Sequence, residues 1–431
     1  MADDPASKPN SAPAPVSSRF RTFRESLGLL ATRRFGTFWF ASLLSSIGTW
    51  AQQVAQPWLM LTLGASSFLL GLDSFAMNAP VWALTLVGGA LADRADRRRV
   101  ILFFQSIQML CPTAIVVLLM LGRIEPWMII VCSLIVGITD ALSMPSFQSI
   151  VPSIVPREQI ENGLALNSTQ FSLSRILGPS IAGVLMSSVG TLACFVLSAL
   201  SYVPFIGVAL WILPRWTPPP AASAAPLHAH VWSGIREILR QAHLRGALLT
   251  VLTTSVLCAP MVTFIPVMVK EVFEGSTAQF SIAMVAFGVG GLLGALCLLG
   301  VPRRIDRRYI SAGFAVSYGV LLVLAAFNPW YWGLPPLLVL SGAAMTVSNT
   351  TANSLIQSTT PKNLLGQTVS LYMLAVRGGI SIGALLTGVL VSYLGVQNAL
   401  LINGVLAIVL QLAFCRGWFR APLPEKPPEQ A

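Results

Sequence analysis

Charged residues are scarce in this 431-residue sequence, at only 10%, whereas hydrophobic residues make up 55%. Soluble domains carry about 25% charged residues, so the shortage excludes an ordinary soluble globular protein. The composition predicts an integral protein of the cell membrane that crosses the bilayer many times.

Lysine is also rare. The sequence has only Lys8, Lys270, Lys362 and Lys426, and none follows a glycine as in a phosphate-cradling loop. No soluble segment is large enough to bind a nucleotide. We therefore expect no cofactor, and we expect any transport to draw on an ion gradient or to run downhill.

Histidine and cysteine offer no catalytic or metal-binding pattern. The 3 histidines do not cluster with Asp or Glu at catalytic spacing, so we predict neither an enzyme nor a metal site. The 6 cysteines lie within apolar runs without paired spacing, which favours a packing role over disulfides.

Long apolar runs are what the sequence has in abundance. Each has roughly twenty residues, enough to cross a bilayer core of about 30 Å as a helix. We count twelve, near residues 36–63, 69–91, 100–121, 127–150, 163–188, 192–213, 247–269, 278–300, 310–328, 334–358, 367–394 and 398–418. The predicted fold is an all-α membrane protein of twelve helices in two six-helix pseudo-repeats.

The net charge of +11 could indicate a nucleic-acid partner, but the basic residues alternate by loop. The loops on one side hold most of the arginines, whereas those on the other side offer only Arg123 and Lys270. By the positive-inside rule both termini are expected in the cytoplasm, and no nucleic acid is needed to explain the charge.

The helices divide around one long basic loop. The predicted domains are a disordered cytoplasmic tail (1–30), a first six-helix half (31–213), a cytoplasmic linker (214–246), a second half (247–420) and a second tail (421–431). The first tail is rich in Pro, Ala and Ser and lacks the apolar core of a cleaved signal peptide. Apolar residues at helical spacing in the linker indicate an interfacial helix, with a plain tether as the alternative.

The two halves are related by a repeat. The segment Gly183-Val-Leu-Met-Ser-Ser-Val-Gly190 returns about half a chain later as Gly388-Val-Leu-Val-Ser-Tyr-Leu-Gly395. Such internal duplication of an apolar half is typical of secondary transporters.

Polar residues form stripes on every third predicted helix, which suggests that these helices line a water-accessible path. Hydrogen bonding between helices is the alternative for any single residue. The candidates for cavity lining are Thr49, Gln52, Gln53, Gln56, Thr254, Asn349, Asn353 and Gln357.

Four ionisable residues lie inside predicted spans, where charge is costly and therefore indicates function: Asp73, Asp140, Arg175 and Arg377. At about 1.5 Å rise per residue, Asp140 and Arg175 differ in depth by about 3 Å, so they could form an ion pair that switches with proton occupancy. A permanent structural salt bridge is the other interpretation. Asp73 lies near a helix end, within reach of the headgroups, and Arg377 either binds an anionic substrate or satisfies backbone carbonyls.

The loop after the second predicted helix reads Gly89-Ala-Leu-Ala-Asp93-Arg94-Ala-Asp96-Arg97-Arg98. It resembles the signature Gly-x-x-x-Asp-Arg-x-Gly-Arg-Arg of the major facilitator superfamily, except that Asp96 stands where the signature has Gly. The resemblance implies a cytoplasmic latch between helix ends formed by Gly89, Asp93, Arg94, Arg97 and Arg98.

A second segment, with Gly178, Pro179 and Gly183, resembles the antiporter signature of the same superfamily. Together with Ser46-Ile-Gly-Thr-Trp50 and Pro145-Ser-Phe-Gln-Ser, it is similar to the branch that contains the enterobactin exporters of bacterial inner membranes. This resemblance implies a monomeric exporter, embedded in membrane lipid, that moves amphipathic small molecules such as drugs, siderophores or metabolites in exchange for protons. An uptake carrier or a non-transporting receptor on the same scaffold is the alternative.

Overall fold

The structure is a computed structural model that describes residues 28–213, 235–301, 305–361 and 364–420. Within these ranges the regular secondary structure is helical, and no strand occurs among them. Residues 1–27 of the first predicted tail, the whole second tail and most of the predicted linker lie outside the described residues. Residues 28–30, expected to belong to the disordered tail, are helical. The side chains of a few helical residues, including Asp93 and Arg94, also lie outside the description.

The first helices form what we call the N-terminal bundle. They are α1 (Phe35–Thr62), α2 (Ser67–Asn78), α3 (Pro80–Arg94), α4 (Arg97–Met120), α5 (Pro126–Ile154), α6 (Ile160–Ser188) and α7 (Thr191–Trp211). Only Ala79 separates α2 from α3. The break falls before Pro80, whose ring lacks the N–H that would continue the hydrogen-bond ladder of the helix.

The remaining helices form the C-terminal bundle. They are α8 (Ala242–Thr253), α9 (Pro260–Val267), α10 (Thr277–Leu299), α11 (Arg307–Ala326), α12 (Leu334–Thr359), α13 (Leu365–Met373), α14 (Gly379–Leu394) and α15 (Val396–Arg420). A π-turn at Thr254–Cys258 joins α8 to α9, and one at Leu374–Gly378 joins α13 to α14. Helix α8 begins at Ala242, inside the segment expected to be the linker.

Eight stretches among the described residues are long and apolar enough to cross a membrane. They are Arg97–Met120, Pro126–Ile154, Thr191–Trp211, Ala242–Val272, Thr277–Leu298, Arg307–Ala326, Gln367–Leu394 and Val396–Cys415. Helices α1 and α12, which carry two of the predicted polar stripes, are not among these eight. The protein is a multi-pass membrane protein.

The residue that departs from the superfamily signature, Asp96, caps a helix. Its carboxylate accepts a hydrogen bond from the backbone N–H of Arg98 at the start of α4, with a distance of 3.1 Å. In the C-terminal bundle Asp306 accepts from the N–H of Arg308 at 2.9 Å at the start of α11. An acidic cap satisfies a free amide and complements the helix dipole, which explains Asp at this position.

The two bundles meet through α2 against α14 and through α6 against α10. A Cβ added to Gly71 would lie 2.5 Å from the carbonyl oxygen of Ala384, and one added to Gly388 would lie 3.0 Å from that of Ser67. At the other contact, a Cβ on Gly183 would lie 3.0 Å from the Cβ of Ser281. These helices approach so closely because glycine stands at the contact.

Both of these glycine contacts lie toward the same end of the molecule, which we call the far end. The connections between helices at this end are residues 63–66, 189–190, 273–276 and 395. Here Lys270 Nζ donates to the carbonyl oxygen of Leu61 at 2.7 Å, and the rings of Trp58 and Phe280 stack at 4.9 Å. Each of these contacts joins the two bundles. We call the opposite end, where α1 begins, the near end.

The hydrophobic core follows the same division. The largest cluster of buried apolar residues lies toward the far end and combines both bundles, for example Phe195 with Phe264. Toward the near end the apolar core is split into two clusters. One, around Phe38, belongs to the N-terminal bundle, and the other, around Trp418, belongs to the C-terminal bundle.

Candidate functional site

An ion pair between Asp140 and Arg377 joins the bundles midway along their helices. Asp140 Oδ2 accepts from Arg377 Nη1, and the two side chains are 30% and 31% exposed. Asp140 lies on α5, whereas Arg377 lies in the π-turn between α13 and α14. The sequence allowed an ion pair between Asp140 and Arg175, whereas in the structure Asp140 pairs with Arg377. Equal depth in the membrane does not decide which neighbouring helix supplies the partner.

Close packing fixes the position of the π-turn that carries Arg377. The next residue, Gly378, lies against the indole of Trp82 on α3, so that a Cβ there would be 2.5 Å from the ring nitrogen. On the other side, a Cβ on Gly379 would be 2.7 Å from the Cβ of Ser255. A larger side chain at either glycine would clash with Trp82 or Ser255, so the two glycines permit the close packing of the turn that carries Arg377.

Asp73 is only 6% exposed and lies inside the N-terminal bundle. Its carboxylate accepts from Gln56 Nε2 at 2.7 Å and from Ser133 Oγ at 2.6 Å. The prediction that Asp73 reaches the headgroup region is therefore wrong, because α2 turns this side chain toward α1 and α5. A buried carboxylate persists when its oxygens are hydrogen-bonded in this way.

The network around Asp73 extends along α1. Gln52 Nε2 lies 3.4 Å from Gln56 Oε1, and Ser198 Oγ donates to Gln52 Oε1 at 2.7 Å. Gln56, which we predicted to line a cavity, is buried at 7% exposure. In this conformation Gln52 and Gln56 bind the helices of the bundle to one another.

Arg175 faces the C-terminal bundle from α6. Its side chain is half-buried, and its Nη2 lies 3.9 Å from the position that a Cβ on Gly291 of α10 would occupy. The phenol of Tyr372 is close enough to interact electrostatically with the guanidinium. Among the described residues, no hydrogen bond or carboxylate contact is formed by this guanidinium.

The other predicted lining residues differ in exposure. Thr254 is buried and donates to Asn349 Oδ1 at 3.5 Å, whereas Thr49 shares a hydrogen bond of 3.2 Å with Tyr202. The side chains of Gln53, Asn349 and Asn353 are half-buried, and that of Gln357 is exposed. Gln357 Nε2 donates to Asn353 Oδ1 at 3.1 Å. The polar stripe on α12 is thus more open than the stripe on α1.

The antiporter-like segment contributes packing on two sides of α6. Gly178 lies against Trp50 on α1, and Pro179 is buried beside it. One turn further along, Gly183 contacts α10 of the other bundle.

The residues of the predicted latch are described only in part. The surroundings of Gly89 and the side chains of Asp93 and Arg94 lie outside the description. Arg97 Nη1 donates to the carbonyl oxygen of Ser149 at 3.1 Å, and Arg98 donates to that of Leu210. Both arginines connect the start of α4 with neighbouring helices of the same bundle.

Sequence reasoning missed several residues at this site. Trp82, Tyr372 and Thr346 surround the two arginines, yet single aromatic or hydroxyl residues in an apolar helix resemble ordinary packing residues. Lys270 had a clearer sequence signal. A lysine at the end of a long hydrophobic run needs a hydrogen-bond acceptor, and here that acceptor is the carbonyl oxygen of Leu61.

Two helical bundles that meet at one end, with an ion pair across their middle, define a membrane transporter of the major facilitator fold. Residues 25–426 match the family model described as transmembrane secretion effector, and the chain belongs to this transporter family of the major facilitator superfamily.

Related proteins of known description align with this chain over most of its length. The chain is 24% identical over 382 residues to the staphyloferrin A transporter of Staphylococcus aureus, covering 88% of this chain and 94% of that protein. It is 26% identical over 392 residues to the multidrug efflux pump Tap of Mycolicibacterium fortuitum, covering 86% and 94%. It is 25% identical over 365 residues to the enterobactin exporter EntS of Salmonella choleraesuis, covering 84% and 87%.

Solved structures share the fold at low sequence identity. A variant of the nucleoside transporter NupG superposes with a TM-score of 0.74 at 13% identity, covering 90% of this chain and all (100%) of that chain. A bacterial homologue of the human lysosomal transporter Spinster, inward-facing and unoccupied, gives a TM-score of 0.67 at 14% identity, covering 93% and 99%.

Proposed function

We propose that this protein is a secondary active exporter that moves amphipathic small molecules out of the cell in exchange for protons. In this proposal twelve helices span the membrane, and residues 31–213 and 247–420 form the two moving halves. The linker 214–246 and the tails 1–30 and 421–431 lie in the cytoplasm. The near end then faces the cytoplasm, and the protein works as a monomer.

The observation that carries the proposal is the division of the hydrophobic core. Both bundles share one core at the far end, whereas each has its own core at the near end. A pair of bundles joined at one end and separate at the other corresponds to one state of an alternating-access carrier. Rocking about the middle would separate the far-end contacts and bring the near ends together.

The ion pair between Asp140 and Arg377 connects the two bundles near their middle, so it must form or break when the bundles rock. It joins bundles that must move relative to each other, and its two opposite charges attract each other. A proton on Asp140 removes that attraction and releases Arg377. Proton binding at this one carboxylate therefore links an ion gradient to the relative position of the bundles.

Export is favoured over uptake by the relatives. Tap is named a multidrug efflux pump, the protein of Streptococcus pyogenes a macrolide efflux protein, and EntS an enterobactin exporter.

The test uses inside-out vesicles from cells that produce the protein. An imposed proton gradient, acidic inside, should drive accumulation of an amphipathic fluorescent anion such as 8-anilinonaphthalene-1-sulfonate, and Asp140→Asn should abolish it. Glu158→Gln serves as the matched control, because Glu158 is exposed in a near-end connection. Dye accumulation that persists in Asp140→Asn, or that ignores the gradient in the unaltered protein, would contradict the proposal.

A further inference from the structure

We propose that Arg175 binds an anionic oxygen group of the transported molecule, so that the preferred substrates are organic anions with an apolar body. This inference rests on the proposed function, since it names the substrate class for the space between the bundles. Carboxylates, sulfonates and phenolates share the necessary chemistry.

The first observation is that the other intramembrane charges are already paired. Arg377 uses Asp140, and both carboxylate oxygens of Asp73 accept hydrogen bonds from Gln56 and Ser133. The guanidinium of Arg175 has no such partner among the described residues. A positive charge inside a membrane protein is costly when uncompensated, so such a residue indicates a place where a counter-charge binds.

A second group points to the same place from the other bundle. Thr346 Oγ1 on α12 is buried and has no hydrogen-bond partner within the described part of the chain. It lies 3.1 Å from the position that a Cβ on Gly291 would occupy, and Arg175 Nη2 lies 3.9 Å from that same position. A guanidinium and a hydroxyl therefore converge on a point of α10 that carries no side chain.

This convergence suits an oxyanion. Arginine presents several N–H donors in one plane, which match two oxygens of a carboxylate or sulfonate. The hydroxyl of Thr346 on α12 can supply a further donor. Gly288 lies one turn from Gly291 and likewise has no side chain. A Cβ at Gly288 would have only the backbone oxygen of Arg175 near it, at 3.9 Å, so there is open space on this face of α10.

The neighbours of Arg175 determine what else the ligand carries. Phe171 is one helical turn earlier on the same face, is 46% exposed, and meets the ring of Trp50 edge-on at 6.2 Å. The Tyr372 hydroxyl donates to the backbone oxygen of Asn349 at 3.4 Å. An anionic group at Arg175 thus has an aromatic ring within one turn, which favours an amphipathic anion over a small inorganic one.

The experiment measures binding to the purified full-length protein in lipid nanodiscs. The probes are three compounds with the same ring system: 2-naphthoate, 2-naphthalenemethanol and 2-naphthylmethylammonium. Isothermal titration should show 2-naphthoate binding about tenfold or more tightly than the alcohol, as expected for charged hydrogen bonds. Arg175→Gln should remove this preference, Arg175→Lys should retain part of it, and Thr346→Val should weaken 2-naphthoate binding several-fold.

Two controls separate recognition from misfolding. Arg157→Gln removes an exposed arginine at the near end and should leave all three affinities unchanged. Arg175→Gln should bind the neutral alcohol as the unaltered protein does, which shows that the site is intact. Equal affinities for the three probes, or an anion preference that survives Arg175→Gln, overturns the inference.

The outcome is independent of the vesicle test. If Arg175→Gln abolishes anion preference while no proton-driven export occurs, the binding site stands and the exporter proposal fails. If proton-driven export occurs but no anion preference depends on Arg175, the exporter proposal stands and the substrate class is wrong.

Discussion

Gly183 and Gly388 occupy the same position in the two copies of the repeat, and each lies in a contact between the bundles. Gly183 on α6 faces Ser281 of α10, whereas Gly388 on α14 faces Ser67 and Gly71 of α2. The duplication has therefore placed one glycine on each side of the far-end closure.

Replacing either glycine should weaken this closure. Gly183→Leu and Gly388→Leu each introduce a side chain where helices already touch, so we expect a loss of about 1–3 kcal/mol in stability and a fall in transport. Thermal unfolding in detergent and the vesicle assay measure the two effects. Gly313→Leu is the matched control, because nothing lies within 4 Å of a Cβ at that glycine. Equal effects at all three positions would refute a special role of the repeat glycines.

A double-mutant cycle tests the ion pair that joins the bundles. Asp140→Asn and Arg377→Gln each leave one charge without its partner, whereas the double variant removes both charges. Because both side chains are about one-third exposed, solvent weakens the pair, and we expect a coupling energy of about 1 kcal/mol. Unfolding of the four proteins in nanodiscs gives this energy. Strictly additive effects would mean that the pair contributes nothing to the attachment of the bundles.

Asp73 is expected to have a structural role that differs from that of Asp140. Asp73→Asn keeps a side chain that accepts hydrogen bonds, so proton-driven transport should persist. Asp73→Leu removes the acceptor of the Ser133 hydroxyl and one of the two acceptors of the Gln56 amide, which should cost about 1–3 kcal/mol of stability. Parallel unfolding and vesicle measurements separate the two roles. If Asp73→Asn abolished transport while remaining stably folded, the carboxylate would belong to the coupling machinery instead.

The cap at Asp306 should make stability depend on pH. Partial burial raises the pKa of this carboxyl, but together the hydrogen bonds and the positive charge of Arg308 lower it more, so the net shift is downward. A group with a lowered folded pKa stabilises the fold above its unfolded pKa, about 3.9, and that contribution disappears as the pH falls through the folded pKa.

Asp306→Ala should accordingly cost about 1 kcal/mol near neutral pH, and the difference from the unaltered protein should shrink in acid. Unfolding between neutral pH and pH of about 3 measures the difference. The matched variant Glu158→Ala removes an exposed carboxylate that caps no helix and should change stability little. A cost that stays constant across the pH range would exclude the charged carboxylate as its source.

Much of the helical architecture was predictable because hydrophobic runs report directly on burial in lipid. The predicted run 278–300, for example, agrees with α10 within one residue at each end. The breaks inside these hydrophobic runs were harder to predict from the sequence. The π-turn that carries Arg377 contains no proline and has no local sequence signal, since it depends on Trp82 and Ser255 packing against its glycines.

The candidate site shows the same limit. Composition and periodicity identified Asp73, Asp140, Arg175 and Arg377 as the charges that needed an explanation, because charge in an apolar run is rare whatever the fold. Which of them pair could not be read from depth along a helix. Depth is a property of one helix, whereas pairing depends on the rotation of each helix and on its neighbours.

By itself, then, the sequence determined that this is a helical membrane protein with a duplicated plan and four unusual charges, since these follow from hydropathy and spacing along the chain. The tertiary structure alone decided that Arg377 of one bundle meets Asp140 of the other, that Asp73 is held by Gln56 and Ser133, and that Arg175 lies beside Gly291 of the other bundle. The physical reason is that an ion pair forms between groups within a few ångströms in space, and residues more than 200 positions apart reach that distance only through the packing of two bundles.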